Sequence, residues 1–171
     1  MKRPGQLAGL CIAVIVLLGG TIAHAGQSSS TAAFERLVSL VGEWTGEQNG
    51  RQIRVTYSLV ADGSTLVEEF RSDKGATMMT MFTVDGEHLV ATHYCSAHNQ
   101  PQMVTQPISG AEANPFNFSL DRITGMSSPD DWHNTGLEFQ LEDKDHLSQK
   151  WTYLDHGKMG TTIFHLARKK A

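Results

Sequence analysis

The chain has 171 residues with 18 Asp and Glu against 14 Lys and Arg, a formal charge of −4. That balance argues against nucleic acid or an anionic membrane surface as a partner. The length suits one domain with a real core and is short for two.

Residues 1–25 read as a signal peptide. Lys2 and Arg3 give a positive start, Leu7 to Leu18 is an apolar run, and Ala23-His24-Ala25 matches the small-x-small cleavage pattern. The apolar run is too short for a stop-transfer helix. Cys11 follows Leu10 inside it, where a lipid anchor requires a small residue, so no membrane anchor is expected. Cleavage leaves 12 basic and 18 acidic residues, a net charge of −6, and Cys95 as the single cysteine. An exported chain, periplasmic or secreted, with no internal disulfide is the expectation.

Residues 26–33 begin with Gly-Gln-Ser-Ser-Ser and read as a flexible leader, with the domain running over 34–171. Phe34, Leu37, Val38 and Val41 fall at i, i+3, i+4 and i+7, one face of a short helix that Gly42 ends. From Trp44 to Asn49 onward the period is two. Ile53, Val55, Tyr57 and Leu59 alternate with polar residues, and Asp62-Gly63 turns the chain into Leu66, Glu68 and Phe70. Further strands are expected at Met78–Val84, Leu89–Cys95, Met103–Ile108, Phe116–Leu120, Leu137–Leu141, Leu147–Tyr153 and Met159–Arg168. Residues 124–136 form the longest predicted loop.

Ten strands in a row with short turns and no crossover helix indicate an all-β antiparallel meander. Closure into a single up-and-down barrel removes its edges, and the short N-terminal helix would close one end. The segment Gly42-Glu43-Trp44-Thr45-Gly46 fits the first strand of such a barrel, with glycines for close backbone approach and a tryptophan to plug the end.

That segment, placed after a short helix and before a ten-strand meander, resembles the calycin barrels, in particular the nitrobindin and fatty-acid-binding-protein-like branch. Here it is followed by Gln48-Asn49-Gly50-Arg51, where nitrobindins continue with a further glycine and a Tyr-Pro pair. The resemblance spans roughly residues 34–168 as topology. For calycins as a class it implies a small apolar molecule held inside the barrel. His165 matches the haem-ligating histidine of nitrobindins by its position near the C-terminus, and so is the candidate haem residue.

Alternation also nominates polar residues for the lumen. Glu68 lies between Leu66 and Phe70, Thr80 between Met78 and Phe82, His93 after Leu89 and Ala91, and Gln149 between Leu147 and Trp151. A carboxylate in an apolar lumen must be hydrogen-bonded, paired or protonated. Glu68 and His93 are therefore candidates for orienting a ligand or for acid–base work, against the alternative of a satisfied internal network. With Thr80, Gln149, Trp44, Tyr57, Phe70, Phe82 and Trp151 they make the candidate ligand-binding set, to which Trp132 in the long loop adds a candidate lid. Met78, Met79, Met81 and Met103 suit an adaptable wall or plain core filling.

His93, Cys95 and His98 resemble metal ligands in spacing, as do Asp130, Asp131 and His133. The first group lacks the further Cys or His that a closed zinc site needs, with Glu68 as the one possible addition, and the second is ordinary turn chemistry. A Cys95–His93 nucleophile pair at i, i+2 would stand about 6–7 Å apart, too far for a hydrogen bond. No phosphate cradle or nucleophile elbow is present. A binding protein for a small apolar molecule is the main expectation. A barrel enzyme or haem protein, and a packed interaction module, are the alternatives.

Overall fold

The structure is a computed structural model that describes residues 28–73, 77–110 and 114–170. The predicted signal peptide lies outside the described residues. Ten antiparallel strands form one closed barrel: β1 (Gly42–Gln48), β2 (Arg51–Val60), β3 (Thr65–Ser72), β4 (Thr77–Asp85), β5 (His88–Tyr94), β6 (Gln100–Thr105), β7 (Phe116–Thr124), β8 (His133–Leu141), β9 (His146–Asp155) and β10 (Lys158–Arg168). Each strand pairs with its sequence neighbours, and β1 closes the ring against β10 with Trp44 opposite Arg168 and Gly46 opposite Leu166.

The two glycines of the first strand have separate reasons. Gly42 has φ of +131°, a backbone state that side chains disfavour. Gly46 lies so close to β10 that a Cβ would collide with the His165 carbonyl, so its missing side chain lets the ring close. Trp44 between them is fully buried. Its indole N–H donates to the Leu40 carbonyl at 2.8 Å, and the Arg168 guanidinium sits over its ring at 4.3 Å.

The helix α1 (Ser29–Val38) starts five residues before the predicted stripe and takes in most of the segment read as a leader. Ser28 caps it, its hydroxyl accepting from the Thr31 N–H at 3.2 Å, a contact typically worth about 1 kcal/mol. The buried face is Ser30, Ala33, Phe34 and Leu37, and Val41, expected on that face, lies beyond the helix and is exposed. Ser30 donates to the Gly86 carbonyl at 2.7 Å, tying the helix to the β4–β5 turn. The helix therefore closes the end of the barrel that holds that turn.

Beneath the helix the lumen is solid. Tyr57 meets Trp44 and Phe139 edge-on, and Phe82 meets Phe118 and Phe139, with Leu37, Leu40, Leu66, Leu89, Met103, Leu137 and Leu147 packed around them. Ring pairs of this kind add roughly 1 kcal/mol each beyond burial. Several strand limits differ from expectation. β6 begins at Gln100 and ends at Thr105, and β5 stops at Tyr94, leaving Cys95 in a tight turn whose N–H donates to the Asn99 carbonyl at 3.1 Å. The predicted 124–136 loop is shorter, since β8 already starts at His133.

Candidate functional site

Above the packed layer the barrel changes character. In register, Tyr57 faces Glu68, Glu68 faces Thr80, and Thr80 faces His93, so four consecutive strands place polar side chains in one row. All four are buried, as is Gln149, which reaches the row across the lumen from β9. Tyr57 donates to Glu68 Oε2 at 2.6 Å, and Thr80 donates to Glu68 Oε1 at 3.2 Å. The Gln149 amide donates to Tyr57 Oη at 2.8 Å and also to Glu68 Oε2. The Trp151 indole donates to Gln149 Oε1 at 2.9 Å. Thr80 Oγ1 lies 2.9 Å from His93 Nδ1, and the His93 ring packs on Trp151 with centroids 4.7 Å apart.

Burial sets the electrostatics. It pushes the Glu68 carboxyl upward, against the pull of hydrogen bonds from Tyr57, Gln149 and Thr80. It also pushes the Tyr57 hydroxyl well above its ordinary value, with the Glu68 charge adding to the effect. His93 is pushed down to about 4 by burial, so its ring is neutral at neutral pH.

This row is the floor of a cavity of about 230 Å³. The cavity sits at the end opposite α1, between the ends of β1, β3, β5 and β9 and the starts of β4 and β8. Glu68, His93, Gln149 and Trp151 lie at its base, Phe70, Met78 and Phe164 form the walls, and Trp132, Asn134 and Tyr153 stand at the mouth. Phe70 and Phe164 meet edge-on at 5.2 Å, and Trp132 stacks on Tyr153 at 5.3 Å. The Trp132 loop is held from below, with Asn99 donating to the Trp132 carbonyl at 2.7 Å. Gly125 at the start of that loop packs where a Cβ would strike the His98 carbonyl.

Of the residues nominated from sequence, Glu68, Phe70, His93, Trp132, Gln149 and Trp151 line the cavity. Tyr57 and Thr80 stand behind it and orient Glu68 and His93. Trp44 and Phe82 belong to the packed layer under the helix and do not reach the cavity. Strand alternation told inside from outside at these positions but carried no information on depth. His165 is a correction. It is on the outward face of β10, with its side chain 76% exposed and 3.9 Å from Glu142, because the inward face holds Thr162, Phe164 and Leu166. It cannot hold a group in the lumen.

Sequence reasoning passed over Gln48, Asn134, Tyr153, Thr162 and Phe164, all of which line the cavity. In Thr161-Thr162-Ile163-Phe164-His165-Leu166 both alternating faces contain apolar residues, so periodicity alone does not say which turns inward. The signal for Tyr153 was its cross-strand partner Gly160, whose bare backbone lies under the tyrosine ring. Met78 is a wall residue, whereas Met103 is core, and Met79 and Met81 lie on the outer face of β4. No cluster of three or more His, Cys, Asp or Glu poised for a metal occurs among the described residues.

No protein-family model matches this sequence, and no curated protein matches it either. Among solved structures, the crystal structure of Rv2717c from M. tuberculosis is similar, with a TM-score of 0.54 at 15% identity, covering 81% of this chain and 98% of that one. The likeness is one of fold. It supports the barrel and says nothing of what fills the cavity.

Proposed function

We propose that this is an exported calycin-like protein that binds a small, largely apolar molecule in the upper half of its barrel. The observation that carries the reading is the division of the lumen. One half is packed solid beneath the helix, and the other is an apolar cavity of about 230 Å³ over a polar floor that orients without filling it. Ligand sites are typically concave, mostly apolar and supplied with a few fixed polar groups. Phe70, Phe164, Trp132 and Met78 would supply affinity by burial, and His93 and Glu68 would supply orientation.

The half-open lumen weighs against a purely packed interaction module. Acid–base catalysis by Glu68 and His93 has less support, since the two make no direct hydrogen bond and are joined only through Thr80. Periplasmic or secreted location is part of the proposal and rests on the residues 1–25 pattern.

Comparison of native and denaturing mass spectra, on protein purified from its own host, tests the proposal. Extra mass that is lost on denaturation is the expected result, and its value gives the ligand. Equal masses, combined with no binding from a panel of small apolar probes, would overturn the reading.

A further inference from the structure

We infer that the cavity selects a neutral aromatic molecule of one or two rings that carries a hydrogen-bond donor, an O–H or N–H, and that the donor is received by His93 Nε2. The inference rests on the ligand-binding reading above and follows from counting protons in the floor.

Every donor of the floor is used within the wall. Tyr57 and Thr80 each have one hydroxyl proton, and both are given to Glu68. The two amide protons of Gln149 go to Tyr57 and Glu68, and the Trp151 indole proton goes to Gln149. Three donors converge on Glu68, as an ionised carboxylate requires. With Glu68 ionised the Thr80 proton goes to it, and the 2.9 Å contact between Thr80 and His93 Nδ1 takes its proton from the imidazole. A neutral imidazole has one N–H, so placing it on Nδ1 leaves Nε2 as a bare acceptor. Nε2 makes no hydrogen bond to a described residue and is not sealed from solvent, and His93 lines the cavity. The base of the site thus presents an imidazole lone pair and a carboxylate, and no spare proton.

Such a floor discriminates by sign. A molecule that brings a donor satisfies it. One that brings only an acceptor leaves two lone pairs facing each other, and an anion meets the Glu68 charge in a site of low dielectric. The amides of Gln48 and Asn134 and the hydroxyls of Tyr153 and Thr162, which also line the cavity, both give and accept, so they favour neither kind, and the Trp132 indole N–H belongs to the mouth and not to the floor. Shape supplies the second half of the argument. Five aromatic side chains, Phe70, Trp132, Trp151, Tyr153 and Phe164, surround the space. An apolar cavity of about 150 Å³ holds benzene, so about 230 Å³ accommodates one or two rings.

The test uses the protein labelled with ¹⁵N at histidine, and three probes: phenol, methoxybenzene and benzoate. NMR of the ring nitrogens at neutral pH reads the His93 tautomer, assigned against His93→Gln. Calorimetry reads affinity. The expected result is a protonated Nδ1 and a bare Nε2 whose resonance moves on adding phenol. Phenol should bind about tenfold tighter than methoxybenzene, the loss of one hydrogen bond, and benzoate should not bind. In His93→Phe the two neutral probes should bind within about twofold of each other. Equal binding of phenol and methoxybenzene to the wild type, or a proton on Nε2, would overturn the donor rule while leaving the apolar cavity reading intact. If neither neutral probe binds the wild type, this inference falls, whereas the ligand-binding reading falls only if the native and denaturing masses also agree.

Discussion

Taking the wild-type domain from pH 7 to pH 4 should remove about 3 kcal/mol of stability through His93 alone. The ring is 4% exposed, and burial holds its pKa at about 4 against an ordinary value of 6.5. Between those values the unfolded chain takes up a proton that the folded one refuses. The stability from the neutral buried ring is therefore complete above pH 6.5 and declines as pH falls toward 4, below which it is spent. A difference of about 2.5 pH units at about 1.4 kcal/mol per unit sets a limit of about 3.5 kcal/mol, of which about 3 is lost by pH 4, where the folded ring is half protonated. Urea unfolding followed by tryptophan fluorescence, at half-unit steps of pH, measures it for the wild type and for His93→Phe. The variant should be less stable at pH 7, because Thr80 loses a partner, by about 1 kcal/mol. The gap should close and then reverse as the pH is lowered, since phenylalanine does not titrate. A gap that stays constant within about 0.5 kcal/mol from pH 7 to pH 4 would refute the claim that burial keeps this imidazole neutral.

Glu68 carries the opposite sign. Burial raises its pKa, so its stabilisation relative to Glu68→Gln should be greatest below the ordinary carboxylate range and fall as pH rises through the raised value. The same unfolding series checks this. Glu68→Ala leaves the Tyr57, Thr80 and Gln149 donors facing no acceptor and should cost about 3 kcal/mol or more, read as a shift in urea midpoint without a change of slope. In Gly160→Ala the new Cβ strikes the Tyr153 ring, which cannot easily swing away because it stacks on Trp132. Near-ultraviolet dichroism should show the disturbed pair, with stability lower by about 1–3 kcal/mol. Trp132→Ala should weaken phenol binding severalfold while moving the midpoint of unfolding little, because the ring is only half-buried at the cavity mouth.

The barrel was legible because its strands alternate cleanly and its hairpins carry Asp-Gly turns. Asp62-Gly63 and Asp85-Gly86 bend the chain where the letters say, and the row of Glu68, Thr80 and His93 follows from the apolar residues flanking each. Other features are set by contacts between residues distant in the chain. The serines at 28–30 have the composition of a linker, yet Ser28 is a helix cap and Ser30 a buried anchor to Gly86, roles set by contacts 56 residues away. Pro101 lies outside the strand expected from Met103, yet it sits within β6, opposite Ile123. His165 was placed by its distance from the C-terminus, and a shift of one residue along β10 separates the lumen, where Phe164 lies, from solvent. Depth within the barrel, which separates Phe82 from Phe70, depends on stagger between strands and leaves no mark on any single one.

The meeting of β1 with β10 also governs how the molecule must assemble. Nine of the ten ladders join strands adjacent in sequence, so each can form as a local hairpin. The tenth brings Trp44 to Arg168, across nearly the whole domain. Arg168 then binds the carbonyls of Ser39, Val41 and Lys144, and the Lys169 N–H reaches the Glu43 carbonyl, so one short terminal stretch seals the seam, the helix end and the β8–β9 turn together. Closing a loop of that length is entropically the most demanding step, and sheets rich in such contacts fold slowly. Without its last strand the sheet would have two bare edges, and the ring is complete only where β10 meets β1.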